Sequence, residues 1–219
     1  MEDIFPIIDL HALAAADGVN LDDALTQLSA LYDDIDRRNE VNVRGLDLPC
    51  NKGCSSCCEE SVFLTPLEFF AIWDHVQTHL DHATRHQIIR DGLAIYARYE
   101  KHINAFFQPP PPGESDHFSI AKDVRFRCPY LDPAGACRVY PKRELLGRIF
   151  GCSFNDQHGI YGCHLVGAHL ADQTVTLLKA RPTARRIDDL PLTGIRQVHP
   201  WYLHWLFKSR EEGPPIRGA

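Results

Sequence analysis

Apolar side chains along this chain recur mainly at helical spacing. From Ile7 to Ala16 the chain is rich in Leu and Ala, and Asp17-Gly18 ends the run, so a first helix is expected over 7–16. Leu21, Leu25, Leu28, Leu31 and Tyr32 share one helical face. Asn20 precedes them as N-cap, and Asp22 and Asp23 fall in the first turn. This second helix is expected to fade near Arg38. A third start is plain: Thr65 as N-cap, Pro66 at the first helical position and Glu68 completing a capping box. Leu67, Phe69, Phe70, Ala71, Ile72, Trp73 and Val76 make that helix strongly apolar. Asp81 is expected to cap a further helix to about Phe107, with Ile88, Ile89, Leu93, Ile95, Tyr96 and Tyr99 inward.

The rest is less periodic. Asn51 to Ser61 reads as a loop. Pro109 to Pro112 followed by Gly113 predicts a stiff, extended connector. Asp116 to Phe126 reads as irregular or strand-like, Lys142 to Leu146 as a short helix, and Thr174 to Ala180 as a strand. Trp201 to Phe207 reads as a short aromatic helix docked on the core, followed by a loose tail after Glu211. The expected fold is mainly α, with irregular cysteine-rich loops and a few short strands, in one domain around a metal site. Residues 1–45 form its N-terminal helical segment. Residues 46–175 form the cysteine-cluster part, and 176–219 a C-terminal strand and aromatic helix packing on the same domain.

Composition narrows the partners. The chain has 219 residues and a net charge of −6, so general binding to nucleic acid or to an anionic membrane is not expected. The longest uncharged stretch, Gln157 to Ala171, has 15 residues and three histidines. A span needs roughly 20 apolar residues, so no transmembrane helix is expected. Met-Glu-Asp-Ile-Phe-Pro does not read as a secretory signal, which points to the reducing cytoplasm. The partner expected is a protein or small-molecule substrate.

In that compartment clustered cysteines bind metal or do redox chemistry more often than they form disulfides. Four lie close together, Cys50-x3-Cys54-x2-Cys57-Cys58, and four lie apart: Cys128, Cys137, Cys152 and Cys163. Thiolates are soft ligands that select zinc, copper(I) or iron–sulfur clusters. A short loop bends around an ion with little closure entropy, so the first group is the natural nucleus of a site. The same x3, x2 spacing matches the three-cysteine loop of radical S-adenosylmethionine enzymes. Ser56 stands where those enzymes usually carry an aromatic, and no βα alternation follows.

The first cysteine group followed by Val62-Phe63-Leu64-Thr65-x2-Glu68 resembles the opening of the bacterial cysteine-cluster family, a CxxxCxxCC-type domain described as zinc- or iron-chelating. Cys128-Pro129-Tyr130-Leu131 and Gly135-Ala136-Cys137-Arg138-Val139-Tyr140 resemble its middle. Tyr140-x2-Arg143 through Arg148-x-Phe150-x-Cys152 resembles its final block. The resemblance covers roughly Cys50 to Cys163, about half the chain. Where the family commonly has Arg-Pro-x2-Cys-Arg, Glu144 and Gly147 stand in place of Pro and Cys. Either one metal position is open, another group fills it, the site is degenerate, or the absent cysteine is not a ligand at all. The family includes the flagellin lysine methylase. The resemblance thus implies iron–sulfur chemistry and admits S-adenosylmethionine as a cofactor.

Arg143 and Arg148 lie inside the motif. They read either as cofactor-binding residues, pairing with a metal-thiolate or an anionic substrate, or as partners of Glu144 and the acidic first helices. His75, His79, His82 and His86 are spaced 4, 3 and 4, a stripe that Asp81 divides and that reads as a solvated face. His158, His164 and His169 lie nearer Cys163 and are candidates for the place left by Gly147. The expected function is metal binding, iron–sulfur first, with a redox or S-adenosylmethionine-linked protein-modifying role. The alternative is a structural zinc-binding interaction module without catalysis.

Overall fold

Helix caps set the frame of this mainly helical chain. The computed structural model describes residues 5–50, 53–105 and 124–209. The first helix, α1, spans Leu10–Ala16, three residues shorter at its start than the apolar run predicts. Asp9 is the reason: its side chain accepts a hydrogen bond from the Ala12 amide and makes it the N-cap. Helix α2 spans Leu21–Asn42 and is capped by Asn20 as expected, but it runs beyond Arg38. Its last turns are held by burial, with Ile35 and Asn39 both inside. Helix α3, Pro66–His79, carries the predicted capping box. Helix α4 spans His82–Ala105, and Asp81 accepts from the Thr84 amide at its start. The four-proline connector, most of Asp116 to Phe126 and the tail after Glu211 lie outside the described residues.

The second half is broken into short pieces. Instead of one helix over 142–146, a 3₁₀ turn at Tyr140–Lys142 is followed by α5 at Leu145–Ile149. Arg143 and Glu144 between them are extended, with ψ of 146° and 161°. Helix α6 spans His164–Leu170. Strand expectations shrink as well. Of Thr174 to Ala180 only Leu178–Lys179 pairs, and Ala180 already begins α7, Ala180–Arg185. The final helix, α8, spans His199–His204 and continues as a π-helical turn to Ser209.

Among the described residues, five two-residue strands staple these pieces. Strand β1 (Phe63–Leu64) pairs antiparallel with β5 (Gln197–Val198), joining the start of α3 to the start of α8. Strand β2 (Ser153–Phe154) pairs antiparallel with β3 (Ile160–Tyr161) and parallel with β4 (Leu178–Lys179). One core runs through residues from Phe5 to Leu206, so the N-terminal helices and the aromatic C-terminal helix pack in a single unit. Phe69 stacks on Tyr202 with ring centroids 4.8 Å apart, and the Tyr202 hydroxyl donates to the Leu64 carbonyl. The aromatic helix therefore covers the core. A smaller apolar cluster gathers around Cys163, Val166, Leu170 and Leu177. No helix among the described residues is long and apolar enough to cross a membrane.

Glu68 ties the three principal pieces together. Its buried carboxylate accepts from the Thr65 amide (2.7 Å) and hydroxyl (3.0 Å) within α3. It also accepts from the Tyr32 hydroxyl of α2 (3.1 Å) and from the Leu145 amide (2.7 Å), the first N–H of α5. Removing such an acceptor strands each buried donor at about 1–3 kcal/mol. Glu68→Ala is expected to cost more than about 3 kcal/mol in urea denaturation, against about 1 kcal/mol for Tyr32→Phe. Equal losses for the two variants contradict this role.

Candidate metal centre

All eight cysteines are free, and the fold brings the two sequence groups together. Cys57 and Cys58 lie in a 3₁₀ turn, Ser56–Glu59. The Cys58 carbonyl accepts from the Cys128 amide at 2.8 Å, which fixes the second segment on the first. The turn after Cys128 is closed by the Asp132 side chain, which accepts from the Ala136 amide, and by a bridge between Leu131 and Cys137. That turn touches the first loop backbone to backbone. Gly53 and Gly135 both have positive φ (94° and 84°), and a Cβ on Gly135 would stand 2.9 Å from the Gly53 carbonyl oxygen. Only glycine fits that approach.

Cys152 and Cys163 come from the other side. Cys152 follows the end of α5, and Cys163 precedes the first residue of α6. Gly151, with φ of 81°, lies beneath Cys50: a Cβ there would be 3.9 Å from the Cys50 sulfur. The hairpin of β2 and β3 presses Gly162 against Gly151, holding this corner closed.

Electrostatic contact gives two overlapping neighbourhoods of thiols. Cys50 senses Cys152, Cys163 and Cys54, while Cys58 senses Cys57, Cys128 and Cys137. Cys57 bears on both. Among the described residues, no three His, Cys, Asp or Glu side chains converge closely enough to hold a metal ion. The thiols are neighbours across loops and do not meet at one point.

Burial dominates their chemistry. It pushes the thiols of Cys50 and Cys137 up to about 11 and also raises Cys128 and Cys152. Cys57 is the exception. Cys58 lies 3.9 Å away and donates to it, which holds the Cys57 thiol down at about 7, with Arg143 helping; the same bond and burial raise Cys58.

The two arginines separate. Arg148 is buried and belongs to the frame. Its guanidinium pairs with Asp36 of α2, donates to the Pro141 and Arg143 carbonyls, and sits 3.9 Å over the Tyr32 ring. This is the partnership with the acidic early helices, not one with the thiols. Arg143 faces the cysteines: its charge favours the thiolates of Cys57, Cys137 and Cys152. Its Nε is buried without a hydrogen-bond partner among the described residues.

The atoms nearest to a Cβ on Gly147 belong to Glu144 and not to a histidine. His158 lies at an exposed hairpin turn with φ of 60°, and His164 and His169 lie on α6. His75 stacks on His79 within α3, and the His82 and His86 rings of α4 meet at a tilt. Neither pair joins a group of three metal-binding side chains among the described residues. The carboxylate of Glu144 stands beside Gly147 instead. A Cβ on Gly147 would be only 2.6 Å from Glu144 Oε1. Glu144 and His199 are both buried, with His199 Nε2 3.5 Å from Glu144 Oε2. Burial pushes the Glu144 carboxyl up, but the hydrogen bond and charge of His199 outweigh it and hold it below the usual range. The edge of the Tyr130 ring meets His199 at 4.9 Å, and neither the Tyr130 hydroxyl nor His199 Nδ1 has a partner among the described residues. His199 and Tyr130 carry no metal-ligand spacing in sequence. The signal that was available is the paired departure three residues apart, Glu144 with Gly147.

No family model, no curated protein and no solved structure matches the chain.

Cys57 gives a direct test of this electrostatic order. In reduced, metal-free protein at pH 7, Cys57 is expected to alkylate on the order of tenfold faster than Cys50 or Cys137, since thiolate is the reactive form. Cys58→Ala removes the donor and slows the reaction at Cys57. Iodoacetamide kinetics mapped by peptide mass spectrometry read both effects. Uniform rates contradict the arrangement.

Proposed function

We propose that this chain is a metal-binding cysteine-cluster protein, most simply an iron–sulfur protein with a redox or S-adenosylmethionine-linked protein-modifying role. The observation that carries the reading is that the fold brings free cysteines of both halves of the chain near one another, with Cys58 held to Cys128 backbone to backbone. The donor chemistry fits such a group. Soft thiolates are iron–sulfur and zinc ligands, and desolvated thiols that raise one another's proton affinity are relieved when a cation replaces their protons. Cys57, Cys58, Cys128 and Cys137 would hold one centre; Cys50, Cys54, Cys152 and Cys163 would hold the other. The spacing of the motif, with its resemblance to the cysteine-cluster family, supports iron and adds S-adenosylmethionine as a candidate cosubstrate.

Eight cysteines are also enough for two structural zinc sites, because four thiolates close a tetrahedral zinc site and leave no open position. In that reading the chain is an interaction module.

Anaerobic purification of the untagged protein, with metals and sulfide measured per chain and an absorption spectrum of the same sample, separates the two. Iron with sulfide and broad visible absorption is expected. Stoichiometric zinc without colour overturns the iron–sulfur reading in favour of the structural one. Cys54→Ala and Cys57→Ala are expected to lose metal and stability together. Full metal content in both variants rules out this ligand set.

A further inference from the structure

Cys57 and Cys58 are consecutive residues of the 3₁₀ turn Ser56–Glu59, and their sulfurs are 3.9 Å apart. Adjacency in sequence does not by itself bring this about. A 3₁₀ helix has three residues per turn, so neighbouring side chains leave its axis about 120° apart. Here both thiols are turned onto one another, close to van der Waals contact. The turn is open to solvent: Gly53, Glu59 and Glu60 around it are exposed, and the two cysteines are free and half-buried. A small reagent reaches them without the fold opening. The backbone that presents them is fixed. The Cys58 amide donates to the Ser55 carbonyl (2.9 Å), and the Cys58 carbonyl accepts from the Cys128 amide (2.8 Å). Rotation about the two Cα–Cβ bonds is the movement left to bring the sulfurs from 3.9 Å to the about 2.05 Å of a disulfide.

We propose that Cys57 and Cys58 are a vicinal dithiol that exchanges with small-molecule disulfides and closes to an eight-membered ring. One sulfur of the pair loses its proton, attacks a sulfur of R–S–S–R and releases the first RSH, leaving a mixed disulfide. The second sulfur loses its proton, attacks the first and releases the second RSH. Two electrons pass from the dithiol to the added disulfide, and the two protons leave on the two RSH. Consecutive Cα atoms are about 3.8 Å apart. Most disulfides span about 4.4–6.8 Å between Cα atoms, so the ring is strained and easily reduced. The pair is therefore a reversible couple and not a structural cross-link. The exchange belongs to the metal-free reduced chain and stands apart from the metal-binding reading.

The full chain, reduced and stripped of metal with a chelator, is incubated with excess oxidised glutathione at pH 7, quenched with N-ethylmaleimide and mapped by tandem mass spectrometry. The peptide carrying Cys54, Cys57 and Cys58 is expected to lose two hydrogens, with the alkyl group on Cys54 and none on the other two. Excess reduced glutathione is expected to restore alkylation of both. Cys57→Ser and Cys58→Ser cannot close the ring, and each is expected to hold glutathione on the remaining thiol of the pair about tenfold more than wild type does. If circular dichroism shows that the variants do not fold, phenylarsine oxide on the wild-type chain decides. Its arsenic joins two neighbouring sulfurs while its oxygen leaves as water with their protons, and it is expected to bridge Cys57 and Cys58 and block the ring. Full alkylation of both residues after oxidised glutathione overturns the proposal. So does pairing of either with a remote cysteine, a ring that reduced glutathione does not open, or arsenic bridging elsewhere. None of these outcomes bears on the metal content of the anaerobically purified chain, which tests the metal-binding reading separately.

Discussion

The carboxylate of Glu68 is the constraint on which the rest of the molecule depends. It is fully enclosed, yet it has four donors: two from Thr65, one from Tyr32 and one from Leu145. The cap of α3 has thus become the junction of α2, α3 and α5. A capping box ordinarily works within one helix end. Here the second oxygen reaches across the core and satisfies the first amide of α5, a group that would otherwise be an orphan inside the protein.

Helix α5 is only five residues long and has too few internal hydrogen bonds to stand alone. It is held from both ends. Glu68 grips its start, while Arg148 near its end pairs with Asp36 and covers the Tyr32 ring, and Asn39 donates to the Arg148 carbonyl. That double attachment matters because α5 carries or borders much of the candidate centre. Arg143 and Glu144 lie at its start, Gly147 is inside it, and Gly151 and Cys152 follow it. The fold concentrates its buried polar contacts on the piece that positions the thiols.

The thiol groups themselves are set by loops, not by regular elements. Glycine at 53, 135 and 151 lets backbones approach closely enough for the remote cysteines to face one another. Burial then opposes ionisation of most of them, and one short sulfur contact singles out Cys57.

Residues by themselves determined whatever depends on close neighbours. Asn20, Thr65 with Glu68, and Asp81 mark helix starts where the structure has them, because an N-cap bonds to an amide two or three positions on. The apolar face of α3 and the docking of the aromatic tail were legible for the same reason, from spacing and composition. Helix ends were less so. Asp9 overrode a Leu- and Ala-rich run, and burial of Ile35 and Asn39 carried α2 past its charged stretch. Tertiary structure alone decided the rest. A two-residue strand exists only if a distant partner supplies its ladder, as Phe63 finds Val198. Arg148 serves the frame because Asp36 and Tyr32 reach it from α2. Glu144 fills the space beside residue 147 because that residue has no side chain to exclude it, and His199, placed by the pairing of β5 with β1, meets it. Contacts between residues fifty or more positions apart leave no periodic trace along the chain, and the bond that sets Cys128 on Cys58 is one of them.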